Sequence, residues 1–384
     1  MQVYLDNAAT TKLDPRVLKT MEPYFLKEYG NPSSIHDLGQ NAFQALTAAR
    51  SKVAELIGGE EKGIVFTSGA TEANNLIIRG VALANQTDKK NKIIVSAIEH
   101  PCVMESAKQL AREGFKLEIL PVNNEGLVEP AELERIIDQT TILVSVMAVN
   151  NEVGTVQDIT ALAKIAHKHG AYFHTDAVQA VPYLKLDVRQ QEIDFLSLSA
   201  HKFYGPKGVG IAYINRRVKV KPLLIGGGQE DNLRSGTHNL PGIIGFAEAL
   251  ELAYKERTTY LKHIKSLRDY FWKELKKEIL EIRLNGSVKE RVPANLNLMF
   301  SYIEGEAILM DLSQKGIYVS TGSACSASDL RASYVLKAMG LDKNFLNSNI
   351  RFSLGRFNTK KEIDYTVRAL KGTVKRLRGF SPIV

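Results

Sequence analysis

Cysteine is scarce in this chain of 384 residues: there are two, Cys102 and Cys325. Two such thiols make no disulfide framework, and neither stands in a CxxC or Cys/His spacing that would hold a structural zinc. A small disulfide-stapled fold and a zinc-held fold are therefore excluded, no metal site is expected, and a reducing, cytoplasmic setting is predicted. Long apolar runs are also missing. The run TILVSVMAV is far shorter than the roughly 20 residues that cross a bilayer, so no membrane association is expected. The start, MQVYLDNAATT, has no basic segment followed by an apolar stretch, which predicts no secretory signal. No internal repeat or low-complexity tract interrupts the chain. The charge balance, 50 basic against 42 acidic residues, is +8 but dispersed. Its densest cluster, TVKRLRG, reads as the polar face and end of a helix, where cations favour the helix dipole. The excess predicts a solvated surface and anionic ligands, and not a nucleic-acid partner.

What is present is the composition of an ordinary globular protein, 44% hydrophobic and 24% charged, long enough for two lobes. Leu13 to Lys27 and Gln40 to Ile57 have helical spacing, with the turn-rich YGNPSS between them. Strands and helices then alternate. GIVFT leads into ATEANNLIIRGVALA and KIIVSA into a helix after Pro101. KLEILPV, ILVSVMAV and AYFHTD follow, with helices near Ala131 to Ile137 and Ile159 to His169. This rhythm predicts an α/β fold with a mostly parallel sheet covered by helices on both faces. From Gly242 to Leu275 one or two long helices bridge to a remainder of short strands and helices. The expected division is a large α/β domain at 15–245 and a smaller α+β domain formed by 1–14 with 246–384.

In open α/β sheets ligands bind beyond the carboxyl ends of the strands. Five strand ends carry polar or reactive residues: Ser68-Gly69-Ala70-Thr71, Glu99-His100, Asn150-Asn151-Glu152, Asp176 with Gln179, and Ser199-Ala200-His201-Lys202. Each has an ordinary reading. Ser68 to Glu72 makes a helix cap, His100 a capping or half-buried histidine, Asn151 a turn residue, and Asp176 a cap for the next helix. Together they describe a site. The helix start suits a phosphate. His100 suits ring stacking and proton transfer near neutral pH. Asp176 is a carboxylate in need of a cationic partner. Lys202, kept at a strand end among small neighbours and followed by GPKGVG, suits an amine nucleophile. Phosphate, flat ring, acid partner and amine converge on pyridoxal 5'-phosphate, with Lys202 as its Schiff-base lysine. Cys102, at a helix start beside Val103, reads as a small apolar filler. Cys325, in STGSACSASDLRASYVL, reads as an exposed nucleophile on a loop.

YLDNAATT, YGNPSS, FTSGATEANN, EH at 99–100, NNEVGT, HTDAVQ, SAHKFYGPKGVG, GGGQEDNLRSGTHN, STGSACSAS and IRFSLGRFNT together resemble the cysteine desulfurases of the NifS/IscS family. These belong to the fold type I pyridoxal-phosphate enzymes, akin to class V aminotransferases. The resemblance covers nearly the whole chain and implies a large domain with a seven-stranded, mostly parallel sheet. It implies Lys202 as the Schiff-base residue, His100 stacking on the ring, Asp176 on the pyridinium nitrogen and Gln179 on the ring hydroxyl. It places Ala70, Thr71, Ser199 and His201 on the phosphate, Thr237 on the phosphate of a neighbouring subunit in a homodimer, and Asn151 with Arg351 on the substrate carboxylate. A fork of N–H donors suits that last task. The implied reaction takes sulfur from L-cysteine, releases alanine and leaves a persulfide on Cys325. That sulfur passes to an acceptor protein, such as an iron–sulfur scaffold. The sequence ends at RLRGFSPIV, where many members of that family continue with a tail that helps dock the scaffold, so delivery is a separate expectation from persulfide formation. The rival readings are a selenocysteine lyase, an aminotransferase with no use for Cys325, and a catalytically silent sulfur-trafficking adaptor.

Overall fold

The protein is described here by a computed structural model covering residues 1–321 and 332–380. Along the chain come β1 (Val3–Tyr4), α1 (Pro15–Met21), α2 (Pro23–Leu26), α3 (Asp37–Leu56), β2 (Ile64–Thr67) and α4 (Ala70–Asn85). Next are β3 (Lys92–Ser96), α5 (Pro101–Arg112), β4 (Lys116–Leu120), α6 (Pro130–Ile136), β5 (Thr141–Ser145) and α7 (Ile159–Lys168). Then β6 (Tyr172–Asp176), β7 (Phe195–Ser199), β8 (Gly210–Ile214), α8 (Leu240–Lys255) and α9 (Arg257–Glu278) lead to β9 (Ile282–Leu284) and β10 (Asn295–Phe300). The described chain closes with α10 (Gly305–Gln314), β11 (Ile317–Tyr318), α11 (Tyr334–Ala338), β12 (Asn349–Ser353) and α12 (Lys360–Arg378).

Runs such as KIIVS and TILVS are buried along their whole length because both faces of their sheet are covered. That sheet has seven strands in the order β2-β8-β7-β6-β5-β3-β4. Its ladders are parallel except the two that flank β8, which is antiparallel to both neighbours. Successive side chains alternate faces. Ile64 and Phe66 enter a core with α3, α7 and α8, while Val65 enters the opposite core with α4 and α5. A third core joins α9, α10, α12 and the antiparallel sheet β12-β10-β9, and it includes Val3 and Leu5 from the start of the chain. There β1 pairs with β11, Val3 opposite Ile317.

Two local expectations are corrected. The helix read from Leu13 to Lys27 is two helices, because Pro23 has no N–H to donate to the turn before it. The second helix starts at Asp37, three residues before the expected Gln40, since His36 caps it by accepting the Gly39 N–H. The stretch from Gly242 breaks at Glu256. α8 packs on the first core and α9 on the third.

Candidate active site

β2, β3, β5, β6 and β7 run the same way, so their carboxyl ends share one edge of the sheet. β8, reversed, begins there: Gly210 lies opposite both Thr67 and Ser199. Along this edge lies a cleft of about 560 Å³. Its lining includes Ala70, Thr71, His100, Asn151, Asp176, Gln179, Ser199, His201, Lys202 and Arg351. Ten residues expected in the site are thus gathered in one place. Thr237 is exposed and lies outside the cleft of its own chain. Cys325 lies outside the described residues.

α4 opens after Gly69, whose φ of +153° suits a residue without Cβ, and no side chain caps its first N–H groups. The bare helix start faces the cleft beside Ser199 and His201. Burial, together with the nearby Lys202 and Lys207, pushes the His201 pKa down to about 4, so its ring is neutral at physiological pH; Nδ1 contacts Thr10 Oγ1 at 3.1 Å. Glu72 in the first turn of α4 is tied up by Arg234 at 2.8 Å and by the Ser68 N–H at 2.8 Å. The acid therefore does not repel an anion at the helix start. Uncapped N–H groups, a positive dipole end and two lysines make a fitting seat for a phosphate.

Lys202 follows the end of β7 in a single 3-10 turn, and its Nζ donates to the carbonyls of Ala8 and Ala9, each at 2.7 Å. Gln179 Nε2 donates to the same Ala8 carbonyl at 2.9 Å. Asp176 ends β6 nearly buried, and its carboxylate accepts from Asn74 Nδ2 at 2.8 Å and from the Val178 N–H at 3.0 Å. Charge held by two donors on a rigid strand end fits a ring nitrogen that must keep a proton. Arg351, on β12 of the second sheet and 3% exposed, donates from Nη1 to the Asn151 carbonyl at 2.9 Å and from Nη2 to Asp6 at 2.7 Å. Its buried Nε and the buried Asn151 Oδ1 have no hydrogen-bond partner. Both residues line the cleft, where a guanidinium and a side-chain amide suit a substrate carboxylate. The residues present fit pyridoxal phosphate and a small amino acid.

Sequence reasoning missed several contributors. Ala8, Ala9 and Thr10 wall the cleft across almost 200 residues of chain from Lys202, and no local periodicity signals such a contact. Asn74, buried on α4, carries no local signal that sets it apart from the other polar residues of that helix. Cys102 packs against the α4–α5 core as expected of a filler, but it also lines the cleft, with Sγ 3.0 Å from His100 Nδ1. Among the described residues no group of His, Cys, Asp and Glu is placed to hold a metal ion.

The aminotransferase class-V family model matches residues 3–366. A "Cysteine desulfurase IscS" of Dictyoglomus turgidum is 46% identical over 99% of this chain and 96% of its own length. The "Cysteine desulfurase" of Rattus norvegicus is 46% identical over 99% of this chain and 84% of its own. Among solved structures, a "NIFS-LIKE PROTEIN" superposes with a TM-score of 0.93 at 40% identity, covering 98% of this chain and all of that one. "SspA in complex with cysteine" gives 0.82 at 34% identity over 93% of this chain and all of that one. The chain has the fold type I architecture and belongs to the class-V aminotransferase family, within its cysteine desulfurases.

Proposed function

We propose that the protein is a pyridoxal-phosphate enzyme that takes sulfur from L-cysteine, releases L-alanine and carries the sulfur as a persulfide on Cys325. The observation that supports this most is the convergence of Lys202, Asp176, His100, Asn151 and Arg351 on one cleft of a chain that is 46% identical to a cysteine desulfurase over 99% of its length. In this reading the N–H groups of Ala70 and Thr71, with Ser199 and His201, hold the phosphate. Asp176 would keep a proton on the pyridine nitrogen, Gln179 would meet the ring hydroxyl and His100 would cover the ring. When bound, the cofactor supplies an aldehyde that takes an amine and a ring that accepts negative charge from the substrate's α-carbon. Asn151 and Arg351 hold the substrate carboxylate, for which Arg351 exchanges or shares its bond to Asp6. Lys202 leaves its two carbonyl acceptors and takes the α-proton. The Cys325 thiolate attacks the substrate sulfur. The carbon–sulfur bonding pair stays with the β-carbon, which is protonated with help from His100; Lys202 returns a proton to the α-carbon, and alanine departs.

The sulfur then passes to an acceptor protein, with an iron–sulfur scaffold as the first candidate and other transfer pathways beside it. We place the reaction in the cytoplasm, in keeping with a chain that has two cysteines and no disulfide framework; no described helix is long and apolar enough to cross a membrane. A division into a large domain and a smaller one that includes the first residues is supported by the separate cores on the two sheets, with the expected boundary at 245 moved to Glu256, since α8 packs on the first core as far as Ala253. A homodimer is supported by a surface on which Leu26, Tyr29, Ile35, Phe43 and Ile225 are exposed, Ile35 at 95% and Ile225 at 89%. The groove beside Phe43 is also walled by Gly227 and Gly228, so the two apolar stretches border one another.

The deciding experiment is alanine release from L-cysteine by the purified, cofactor-loaded protein under reducing conditions. Alanine with matching sulfide is expected, and Cys325→Ser should retain the cofactor while losing at least about 100-fold in turnover. Full turnover by that variant removes Cys325 from its role, and no alanine from the wild type removes the desulfurase reading.

A further inference from the structure

Cys102 stands at the second position of α5, after His100 at the cap and Pro101 at the first turn. His100 caps this helix with its ring: Nδ1 accepts the Cys102 backbone N–H at 3.3 Å. A nitrogen that accepts carries no proton, so this cap, long at 3.3 Å, biases the imidazole proton toward Nε2 without fixing it there. The sulfur of Cys102 lies 3.0 Å from the same Nδ1 and 3.2 Å from Nδ2 of Asn74. Asn74 is fully buried on α4, and its amide also donates to Asp176 at 2.8 Å. Donor and acceptor roles follow in order. The two amide hydrogens of Asn74 go to the Asp176 carboxylate and to the sulfur. The thiol, accepting from Asn74, turns its own hydrogen to Nδ1, whose lone pair it shares with the longer backbone bond.

We propose that Cys102 is a positioning residue of the desulfurase reaction: its thiol, oriented by the Asn74–Asp176 pair, holds the His100 ring in one plane and one tautomer, with Nε2–H turned to the cleft. The inference rests on the proton-carrying role given to His100 above. It links the group that serves the ring nitrogen to the group that covers the ring through one side-chain amide and one thiol. Serine keeps a donor and an acceptor at that place, whereas valine keeps bulk and has neither.

The test uses cofactor-loaded enzyme labelled with ¹⁵N-histidine, the His100 signals being assigned by their loss in His100→Gln. The wild type is expected to show a bare Nδ1 and a protonated Nε2. In Cys102→Val those signals should move toward a mixture of tautomers, and kcat for alanine should fall about tenfold with KM changed less than about twofold. Cys102→Ser should restore the wild-type pattern and most of the rate. Unchanged His100 shifts in Cys102→Val overturn the proposal whatever the rate does, and so does a serine variant that behaves like valine. If the valine variant does not fold, Cys102→Ala replaces it in the same comparison. A wild type that makes no alanine would remove the desulfurase reading alone, because the nitrogen shifts still report whether the thiol sets the ring.

Discussion

Glu99 is a carboxyl group with little to stabilise a charge. It is fully buried, its Oε1 accepts from Ser96 Oγ at 2.5 Å and from the Met147 N–H at 2.7 Å, and Oε2 has no partner. Burial pushes its pKa up to about 8 against the pull of those two donors, with the Asp176 charge adding to the rise. In the unfolded chain it titrates near 4.5. Between those values the folded protein holds a proton that the unfolded chain has lost, so stability declines as pH rises from about 4.5 to 8. Glu99→Gln is neutral throughout. Its melting temperature should therefore gain on the wild type between pH 5 and pH 8, by at least about 2 °C, in paired thermal scans. A constant gap would mean that Glu99 is charged in the fold. At this scale the sequence was legible where residue type and strand end coincide, as at Lys202 and Asp176. It was silent at Asn74, Asp6 and Cys102, whose partners come from other elements.

Gly69 and Gly210 show what one reversed strand does for the site. β8 begins where its neighbours end, and a Cβ on Gly210 would lie 2.8 Å from Gly69 Cα and 2.5 Å from the Leu198 carbonyl. The backbone that carries the bare start of α4 is packed directly on the start of β8. Gly210→Ala should force them apart and weaken retention of pyridoxal phosphate by about tenfold or more, read as the apparent Kd in an absorbance titration, while circular dichroism keeps its α/β shape. Retention equal to wild type would show that the helix start is not the phosphate seat. The run of strands and helices was readable from apolar periodicity. The reversal of β8 was not, because GVGIAYI is equally apolar read in either direction and its pairing is settled by partners far along the chain. The break before Pro23 follows from one residue whose missing N–H the spacing alone does not weigh.

At the scale of the molecule the two sheets are tied across the site. The Glu152 carbonyl accepts from Asn295 and Asn297 of β10 at 2.9 and 3.2 Å, and Arg351 of the same sheet reaches the Asn151 carbonyl. Arg356 joins them again, donating to Asp14 at 2.7 Å and lying 4.4 Å from the centre of the Tyr204 ring. Such ties span hundreds of residues, and composition bounds only how many lobes the chain affords. The exposed apolar surface carries the remaining expectation. Light scattering should give twice the chain mass, and a double variant Ile35→Asp with Ile225→Asp should run as a monomer that loses cofactor faster, as expected if Thr237 of a second subunit reaches its phosphate. A wild-type monomer that keeps its cofactor would end the dimer proposal.

The first eleven residues have a particular debt to the rest. Val3 and Leu5 bond to Gly316 and Tyr318, Asn7 to Ser353, and Thr11 to His201, while Ala8 and Ala9 hold the Lys202 amine. A chain leaving the ribosome makes these residues long before Ser353 and must wait for it before all of them have partners. The frame around the lysine seat and the arginine fork is therefore complete only after Arg351 and Ser353 have been made. Until then the nascent chain carries its reactive amine without the frame that would put it to use.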